Sequence, residues 1–251
     1  MKLRLGQPVH TIDGSFGEVA DIIVEPTART VTHLIVEPHS THYEARLVPM
    51  GLVSVPASDV VELSIDLAHL RSLQRVSECD YVKLSEPIDI GPKWDVGVEQ
   101  VLPIPSSGAG FGIGKHDDHA KVFYDRVPKG TCELRRTSAV CCSDDTVAGT
   151  VEGFILDDDH IAGVVVRTGR FARRHFVVVP TGSVTEVRTD RISLDLSRDG
   201  FRLLPAADDV FGAEDPPSTT ARLRHKARLA TRSLNGPATP SLKRRKSNAD
   251  G

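Results

Sequence analysis

Short runs of Val, Ile and Leu, each bounded by turn-forming residues, recur along most of this chain. Glu18–Glu25 and Val31–Glu37 are two such runs, and Pro26 between them presets the backbone angle of a turn. Leu5–His10 is an earlier run, which closes at the turn Asp13–Gly14. Runs this short and this rich in β-branched side chains predict strands rather than helices. The start of the chain therefore predicts a strand followed by a hairpin.

The pattern continues beyond the hairpin with two more strands and one helix. Glu44–Val48 and Val60–Ile65 are the strand-like runs. Pro49 ends the first of them, because proline cannot donate to a β-ladder. Asp66–Leu73 then carries a leucine at every third position. That spacing predicts a short helix that caps the strands.

Four blocks of sequence return in the same order at a near-constant offset of about 131 positions. The matching blocks are Gly17–Val24 with Gly149–Leu156, Val31–Val36 with Ile161–Val166, Arg46–Pro49 with Val177–Pro180, and Val61–Leu63 with Ile192–Leu194. An internal duplication explains this pattern and predicts the same strands in both copies. The chain is therefore predicted to be an all-β protein of two small antiparallel β-barrels.

The second copy is predicted to follow the first element by element. Asp157–Asp159 takes the place of the hairpin turn, and Phe176–Val179 and Arg191–Leu196 are the later strands. A capping helix is expected over Leu196–Leu204, although Gly200 weakens it by about 1 kcal/mol relative to Ala.

These patterns divide the chain into four segments. A first barrel spans 1–76, a connector spans 77–135, a second barrel spans 136–205 and a tail spans 206–251. The connector is rich in Gly and Pro and is long for a linker, so we expect it to wrap the barrels. Trp94, the single Trp of the chain, is expected to pack against them together with Val96 and Val98.

Charge is distributed unevenly along the chain. The whole sequence has a formal net charge of −3, yet residues 213–251 hold nine Lys or Arg and three acidic residues. This tail has few large apolar side chains and is predicted to be disordered. The apolar runs are far shorter than the ~20 residues that span a bilayer, and the N-terminus has no secretory pattern. We therefore expect a soluble, cytoplasmic protein.

A set of short motifs marks the first copy and the connector. The motifs are Leu5-Gly6 with Val9, Asp13-Gly14, Gly17 with Val19 and Asp21, Val31–Val36, Leu47–Pro49, Trp94–Glu99 and Tyr124–Gly130. Together they resemble the PRC-barrel family, and within it a group of bacterial proteins with two barrels and no assigned function. The resemblance covers roughly residues 2–205. It implies β-barrels that dock onto a larger assembly, and it carries over no catalytic residue.

Several segments approach a catalytic or cofactor motif without completing one. Ser106–Lys115 resembles a phosphate loop, but Ala109 stands at its first glycine and His116 follows its lysine. No nucleophile elbow or metalloprotease helix is present. The four cysteines form no CxxC pair and are interpreted as reduced structural thiols. We therefore predict no catalytic residue and no cofactor.

Two histidine pairs are the candidates for metal ligands. His39 and His42 share one predicted loop, and His116 and His119 share another. Zinc prefers three or four nitrogen or sulfur ligands, so neither pair is a complete site by itself. Sensing of a metal or small ligand through these loops is one alternative function.

Basic side chains are the candidates for binding a partner. They lie in the long hairpin of the second copy and near the end of the tail: Arg167, Arg170, Arg173, Arg174, Lys243, Arg244, Arg245 and Lys246. The equivalent hairpin of the first copy carries Glu37 and Glu44 instead. The two copies are therefore expected to present different surfaces.

The sequence as a whole predicts a non-catalytic docking or adaptor protein. It would bind a larger protein or ribonucleoprotein assembly through its barrels. A second alternative is electrostatic binding of nucleic acid or anions by the tail and the Arg170–Arg174 loop, which would weaken with salt. The oligomeric state is left open, and a homo-oligomer is among the alternatives.

Overall fold

A computed structural model describes most of the chain. The described residues are 1–40, 44–54, 59–83, 90–103, 119–169, 175–207 and 209–211. All of them belong to one compact unit, Met1–Pro216. Within these ranges the protein is mostly β-sheet, with seventeen strands and two short α-helices. The predicted all-β class is confirmed.

The first half of the unit contains seven strands and one helix. The strands are β1 Lys2–Arg4, β2 Pro8–Thr11, β3 Gly14–Glu25, β4 Thr30–Pro38, β5 Arg46–Pro49, β6 Val53–Ser54 and β7 Val61–Leu63. A 3-10 helix spans Met50–Leu52, and α1 spans Leu67–Ser72. Strands β2 to β5 pair antiparallel in sequence order, β6 pairs with β7, and β7 runs parallel to β2.

A separate three-stranded sheet lies between the halves in sequence. Its strands are β8 Ser77–Lys83, β9 Trp94–Pro103 and β10 His119–Pro128. The central strand β10 pairs antiparallel with both neighbours. This segment was predicted to be a connector that wraps the barrels, and no sheet was predicted there. Trp94 packs against the apolar cluster that includes Ile23 and Leu47 of the first half, as expected, whereas Val96 packs against Val122 and Tyr124 of β10.

The second half repeats the elements of the first. Its strands are β11 Cys132–Arg135, β12 Ala139–Cys141, β13 Val147–Asp157, β14 His160–Thr168, β15 His175–Pro180, β16 Val184–Arg188 and β17 Arg191–Leu194. A 3-10 helix spans Thr181–Ser183, and α2 spans Arg198–Arg202. Strands β12 to β15 pair antiparallel in order, β16 pairs with β17, and β17 runs parallel to β12.

The first strand of each half pairs with the other half. Strand β1 adds to β13, with Leu3 opposite Phe154, while β11 adds to β3, with Leu134 opposite Ile22. All four of these side chains are fully buried. The reciprocal pairing joins the halves into one sheet of fourteen described strands. It explains why the described residues form a single compact unit.

The two hairpin turns also meet. The backbone N–H of Val31 donates to the carbonyl of Asp159 at 2.8 Å, and that of Ile161 donates to the carbonyl of Arg29 at 2.9 Å. The guanidinium of Arg29 donates to the carbonyls of Thr181 and Val184, both at 2.6 Å. One turn of the first half therefore stabilises the 3-10 helix of the second.

Most of the predicted elements are confirmed. The hairpin β3–β4 and the turn at Asp157–Asp159 occur where the pattern places them. In α1 the side chain of Leu70 is buried in the core, and its two neighbouring leucines pack against that core. The prediction of one strand over Leu5–His10 is wrong. Gly6 has a φ of +91°, which glycine adopts readily, and the turn there lets β1 cross to the other half.

Among the described residues, no helix has both the length and the apolar character needed to cross a membrane. The tail predicted to be disordered, 206–251, lies outside the described residues except for 206–207 and 209–211.

Candidate functional site

The histidines predicted as metal ligands are not brought together among the described residues. His39 is exposed just after β4, and its backbone N–H donates to the carbonyl of Phe16 at 3.1 Å. His119 begins β10, where its backbone pairs with Lys83. His42 and His116 lie outside the described residues. The described part of the chain contains no group of three or more His, Cys, Asp or Glu residues arranged to hold a metal ion.

Only one of the eight predicted partner-binding basic residues lies in the described part. Arg167 is on β14, and its side chain is only 12% exposed. Its Nη1 lies 3.6 Å from Oε2 of Glu152, and its Nη2 donates to Oγ1 of Thr150 at 3.2 Å. Arg167 therefore belongs to an internal ion network. The other seven, Arg170, Arg173, Arg174, Lys243, Arg244, Arg245 and Lys246, lie outside the described residues.

Glu152 on β13 is the centre of this network, and its side chain is fully buried. Arg4 of β1 donates to its Oε1 through Nε and Nη2, each at 3.3 Å. Arg136, just after β11, donates through Nε to Oε2 at 2.9 Å and through Nη2 to Oε1. Arg167 completes the set of three guanidinium groups. The network joins segments of both halves around one carboxylate.

Aromatic rings cover one side of this network. The guanidinium carbon of Arg4 lies 5.8 Å from the ring centre of Phe176 and 5.4 Å from that of Phe211. The two rings meet edge to face, with their centres 6.3 Å apart. Such contacts favour a cation over a ring face. They fix Arg4 between β15 and the segment that follows α2.

A second buried carboxyl lies where β11 meets the three-stranded sheet. Glu133 of β11 has no solvent exposure, and its Oε2 accepts a hydrogen bond from the backbone N–H of Val98 at 2.8 Å. Its Oε1 is buried without a hydrogen-bond partner. Two further acids nearby, Asp21 and Asp125, are 6% and 8% exposed.

The surroundings of Glu133 favour its neutral form. Burial is the largest cause and holds the pKa of Glu133 well above its usual range, and the negative charges of Asp125 and Asp21 add to the rise. The Val98 N–H and the charge of Arg135 act in the opposite direction. The guanidinium of Arg135 is itself bound to Asp190, at 2.9 Å between Nη2 and Oδ2.

The three-stranded sheet sits on an apolar area beside Glu133. The buried side chains of that area are Ile23, Ile35, Ala45, Leu47, Val76 and Val127, with Ala20 and Trp94 packed against them. Ser77 of β8 donates a hydrogen bond to Oδ1 of Asp125, which ties two strands of the sheet together. Arg126 lies 5.9 Å from the ring centre of Trp94.

Sequence reasoning did not single out either buried glutamate. A comparison of the two copies contains the signal, because the position of Glu152 corresponds to Ala20 and that of Glu133 corresponds to Lys2. A charge in one copy where the other has a small or differently charged residue marks a position where the halves have diverged. Both residues lie within strands, where a charged side chain can point to either face.

His33 of β4 is half-buried. Its Nδ1 lies 3.1 Å from the hydroxyl of Thr32, and burial lowers its pKa. The adjacent residues Cys141 and Cys142 are both buried, and burial raises the pKa of the Cys142 thiol.

Compared with known proteins, the chain matches no family model and no curated protein.

Proposed function

We propose that this protein is a tandem of two PRC-type β-barrels, derived from an internal duplication, that docks onto a larger protein or ribonucleoprotein assembly without catalysing a reaction. One observation carries the proposal. The two halves have the same order of strand pairings, while the connections at one equivalent position carry opposite charges.

The repeated pairing supports a scaffold role. In each half the second strand, β2 or β12, runs parallel to the last strand, β7 or β17. The second to fifth strands of each half pair antiparallel in sequence order. A scaffold kept in both copies with different connections presents two different surfaces. Two different surfaces on one scaffold allow the protein to dock onto two parts of one assembly.

The connections in question are β4–β5 and β14–β15. The first is flanked by Glu37 and Glu44, while the second contains Arg170, Arg173 and Arg174 in its sequence. Charges in the connecting loops steer partner choice, because complementary potentials accelerate the right encounter and oppose the wrong one. A partner with both acidic and basic patches is therefore favoured.

The burial of the two glutamates supports a non-catalytic role for them. Glu133 and Glu152 have no solvent exposure, and a general acid or base must reach the proton that it transfers. Glu152 is further bound by three arginines. These carboxyls support the fold in this proposal, and partner recognition falls to the loops.

Binding of nucleic acid through the tail is the competing function. Its specific support is the composition of residues 213–251, which hold nine Lys or Arg against three acids. Such binding releases counterions and weakens steeply as salt rises. Docking through the barrels and their loops does not require the tail.

Affinity capture from host lysate tests the proposal. The baits are the full chain and a chain ending at Pro216, the end of the compact unit, each with and without nuclease. A third bait combines Arg170→Glu, Arg173→Glu and Arg174→Glu, and Arg188→Glu is its control because Arg188 is exposed on β16. Proteins captured by the wild type are then purified, and their affinities for each bait are measured.

A discrete protein that binds the shortened chain after nuclease treatment, and that loses affinity with the triple variant but not with Arg188→Glu, supports docking. Binding that disappears with the tail or with nuclease assigns the interaction to nucleic acid and overturns the proposal.

A further inference from the structure

Glu133 stands at the seam between the three-stranded sheet and the rest of the unit. Its strand, β11, pairs with β3 on one side, and its side chain reaches β9 on the other. The hydrogen bond from Val98 to Oε2 is the direct polar link between β9 and this carboxyl. Whatever changes the charge of Glu133 therefore acts on the contact between the sheet and the unit.

The charged and polar groups around this carboxyl come from every neighbouring element. Strand β3 contributes Asp21, β10 contributes Asp125, and β11 itself contributes Arg135. The turn between β16 and β17 contributes Asp190, which binds Arg135, and Thr189, whose Oγ1 lies 3.4 Å from the backbone nitrogen of Glu133. Two acids thus add negative charge around Glu133, while the cation of Arg135 is shared with a third acid, Asp190.

The space around the carboxyl is closed. A Cβ atom added at Gly97 would overlap Oε2 of Glu133 and lie 2.8 Å from Cγ1 of Val127. Oε1 is buried with no hydrogen-bond partner. An ionised carboxylate in such a site has lost its water and gains little in exchange, whereas a neutral carboxylic acid costs much less to bury.

We propose that Glu133 is a proton-operated latch: in its neutral form it holds the three-stranded sheet on the unit, and its ionisation loosens the β9 edge of that sheet. The step is a simple acid dissociation, in which the carboxyl proton passes to water and the negative charge stays on Glu133. Repulsion by Asp125 and Asp21, together with the need for hydration, then favours a conformation that admits water.

The strongly raised pKa of Glu133 agrees with this geometry, since burial and the two acids both favour the neutral form. Loosening of the sheet would uncover the apolar area that contains Ile23, Ile35 and Leu47. Rising pH would thus turn a buried apolar area into an accessible one. The latch does not depend on the docking function proposed above, and each can fail without the other.

Trp94 provides a direct readout, because it is the only Trp of the chain, lies at the start of β9 and packs against that apolar area. We expect the fluorescence of the full chain to shift to longer wavelength, and acrylamide quenching to increase, as pH rises above the ordinary Glu value of 4.5. Far-UV circular dichroism should change little, because only one sheet loosens.

Glu133→Gln keeps an acceptor for the Val98 N–H and carries no charge, so its Trp94 signal should stay at the low-pH value throughout. Glu62→Gln is the matched control, since Glu62 is an exposed glutamate on β7, and it should titrate like the wild type. His33 pairs with Ile23 from the side opposite to Glu133, so His33→Gln tests a second titrating group and should leave the transition in place.

Asp125→Asn gives an independent test if Glu133→Gln does not fold. Removal of this like charge lessens the repulsion that opens the sheet, so the transition of Trp94 should become smaller or move to higher pH. No transition in the wild type, a transition retained in Glu133→Gln, or an Asp125→Asn transition with the size and midpoint of the wild type would each overturn the latch. Added Ca²⁺ that closes the sheet at high pH would also overturn it, because the group would then be a cation site.

Discussion

Three guanidinium groups surround the carboxylate of Glu152, and we expect the fold to depend on that charge. Glu152→Gln keeps the shape and leaves the side chains of Arg4, Arg136 and Arg167 packed without their central anion. Removal of one partner from a buried ion network costs about 3–5 kcal/mol. Urea denaturation should show a loss of unfolding free energy in that range.

Glu186→Gln is the control for this substitution. Glu186 and Arg188 form a pair at 2.6 Å, but their side chains are 47% and 70% exposed. Exposed pairs contribute about 0–1 kcal/mol, so this variant should stay close to the wild type. Equal losses in the two variants would show that burial of the Glu152 network does not matter for stability.

Gly97 is required because neighbouring side chains approach its Cα closely, and not because its backbone adopts a positive φ. An added Cβ would overlap the carboxyl of Glu133 and crowd Val127, which lies in the apolar area under the sheet. Overpacking of this kind costs about 1–3 kcal/mol, so Gly97→Ala should lower the thermal midpoint. In the control Gly182→Ala nothing lies within 4 Å of the new Cβ, and the midpoint should change little. A wild-type midpoint for Gly97→Ala would mean that β9 shifts without cost.

At the residue scale, sequence could predict the apolar positions but not the buried charges. The helical spacing of the leucines predicts that Leu70 is buried, and the Val and Ile content predicts the hairpin strands. Arg167 was predicted to bind a partner because it begins an arginine-rich stretch, yet its side chain folds onto Glu152. Which charges meet depends on tertiary contacts between residues far apart in sequence, such as Arg4 and Glu152, and no local pattern encodes them.

At the scale of elements, the exchange of β1 and β11 between the halves is the feature that sequence did not reveal. The strand patterns of the two halves are so similar that sequence does not indicate with which half the first strand of each copy pairs. Gly6 is the physical reason for the exchange in the first half, because its positive φ turns the chain between β1 and β2. The three-stranded sheet was missed because much of its segment reads as a Gly- and Pro-rich connector.

The exchange predicts that damage to either first strand destabilises both halves. Leu3→Ala and Leu134→Ala each remove a fully buried side chain, which costs about 2–5 kcal/mol. Because each strand belongs to one half in sequence and to the other in pairing, calorimetry should show one unfolding transition, displaced to lower temperature in both variants.

Leu203→Ala is the matched control, since Leu203 directly follows α2 and is 86% exposed. It should change stability by no more than about 0.5 kcal/mol. Two separate transitions, with Leu3→Ala moving only one of them, would contradict the coupling of the halves.

At the scale of the whole molecule, the internal repeat was the strongest signal in the sequence. The repeat correctly indicated the same strands in both halves, from the hairpin to the capping helix. Two small barrels, as predicted from the repeat, would each have a core of their own. The structure instead has one large core that contains side chains of both halves, with Leu34 and Val164 among its members. Joining two halves through exchanged strands lets each small core share the burial of the other.

The stability of the whole unit should depend on pH in two opposite ways. Hydrogen bonds from Thr11 to Asp13, from the Ala28 and Thr27 backbones to Glu25, and from Thr146 to Asp144 hold the pKa of each acid below its ordinary value. The contribution of these acids to the free energy of unfolding is present above their ordinary pKa values and is lost as pH falls. Glu133 is the reverse, because its raised pKa makes the folded state bind the proton more tightly. Its contribution is complete below 4.5 and is lost as pH rises through the folded pKa.

Urea midpoints measured between roughly pH 3 and pH 9 should therefore rise from the acid side, reach a maximum and then fall. Glu133→Gln should remove the fall on the alkaline side and leave the acid side as it is, because the amide does not titrate. Glu25→Gln should reduce the rise on the acid side, where Asp13 and Asp144 still contribute, and leave the alkaline side as it is, since Glu25 is exposed and acts through its turn hydrogen bonds. A fall at high pH that survives in Glu133→Gln would assign it to another group. A wild-type midpoint that stays level on the alkaline side would mean that the folded unit accepts the Glu133 charge without cost.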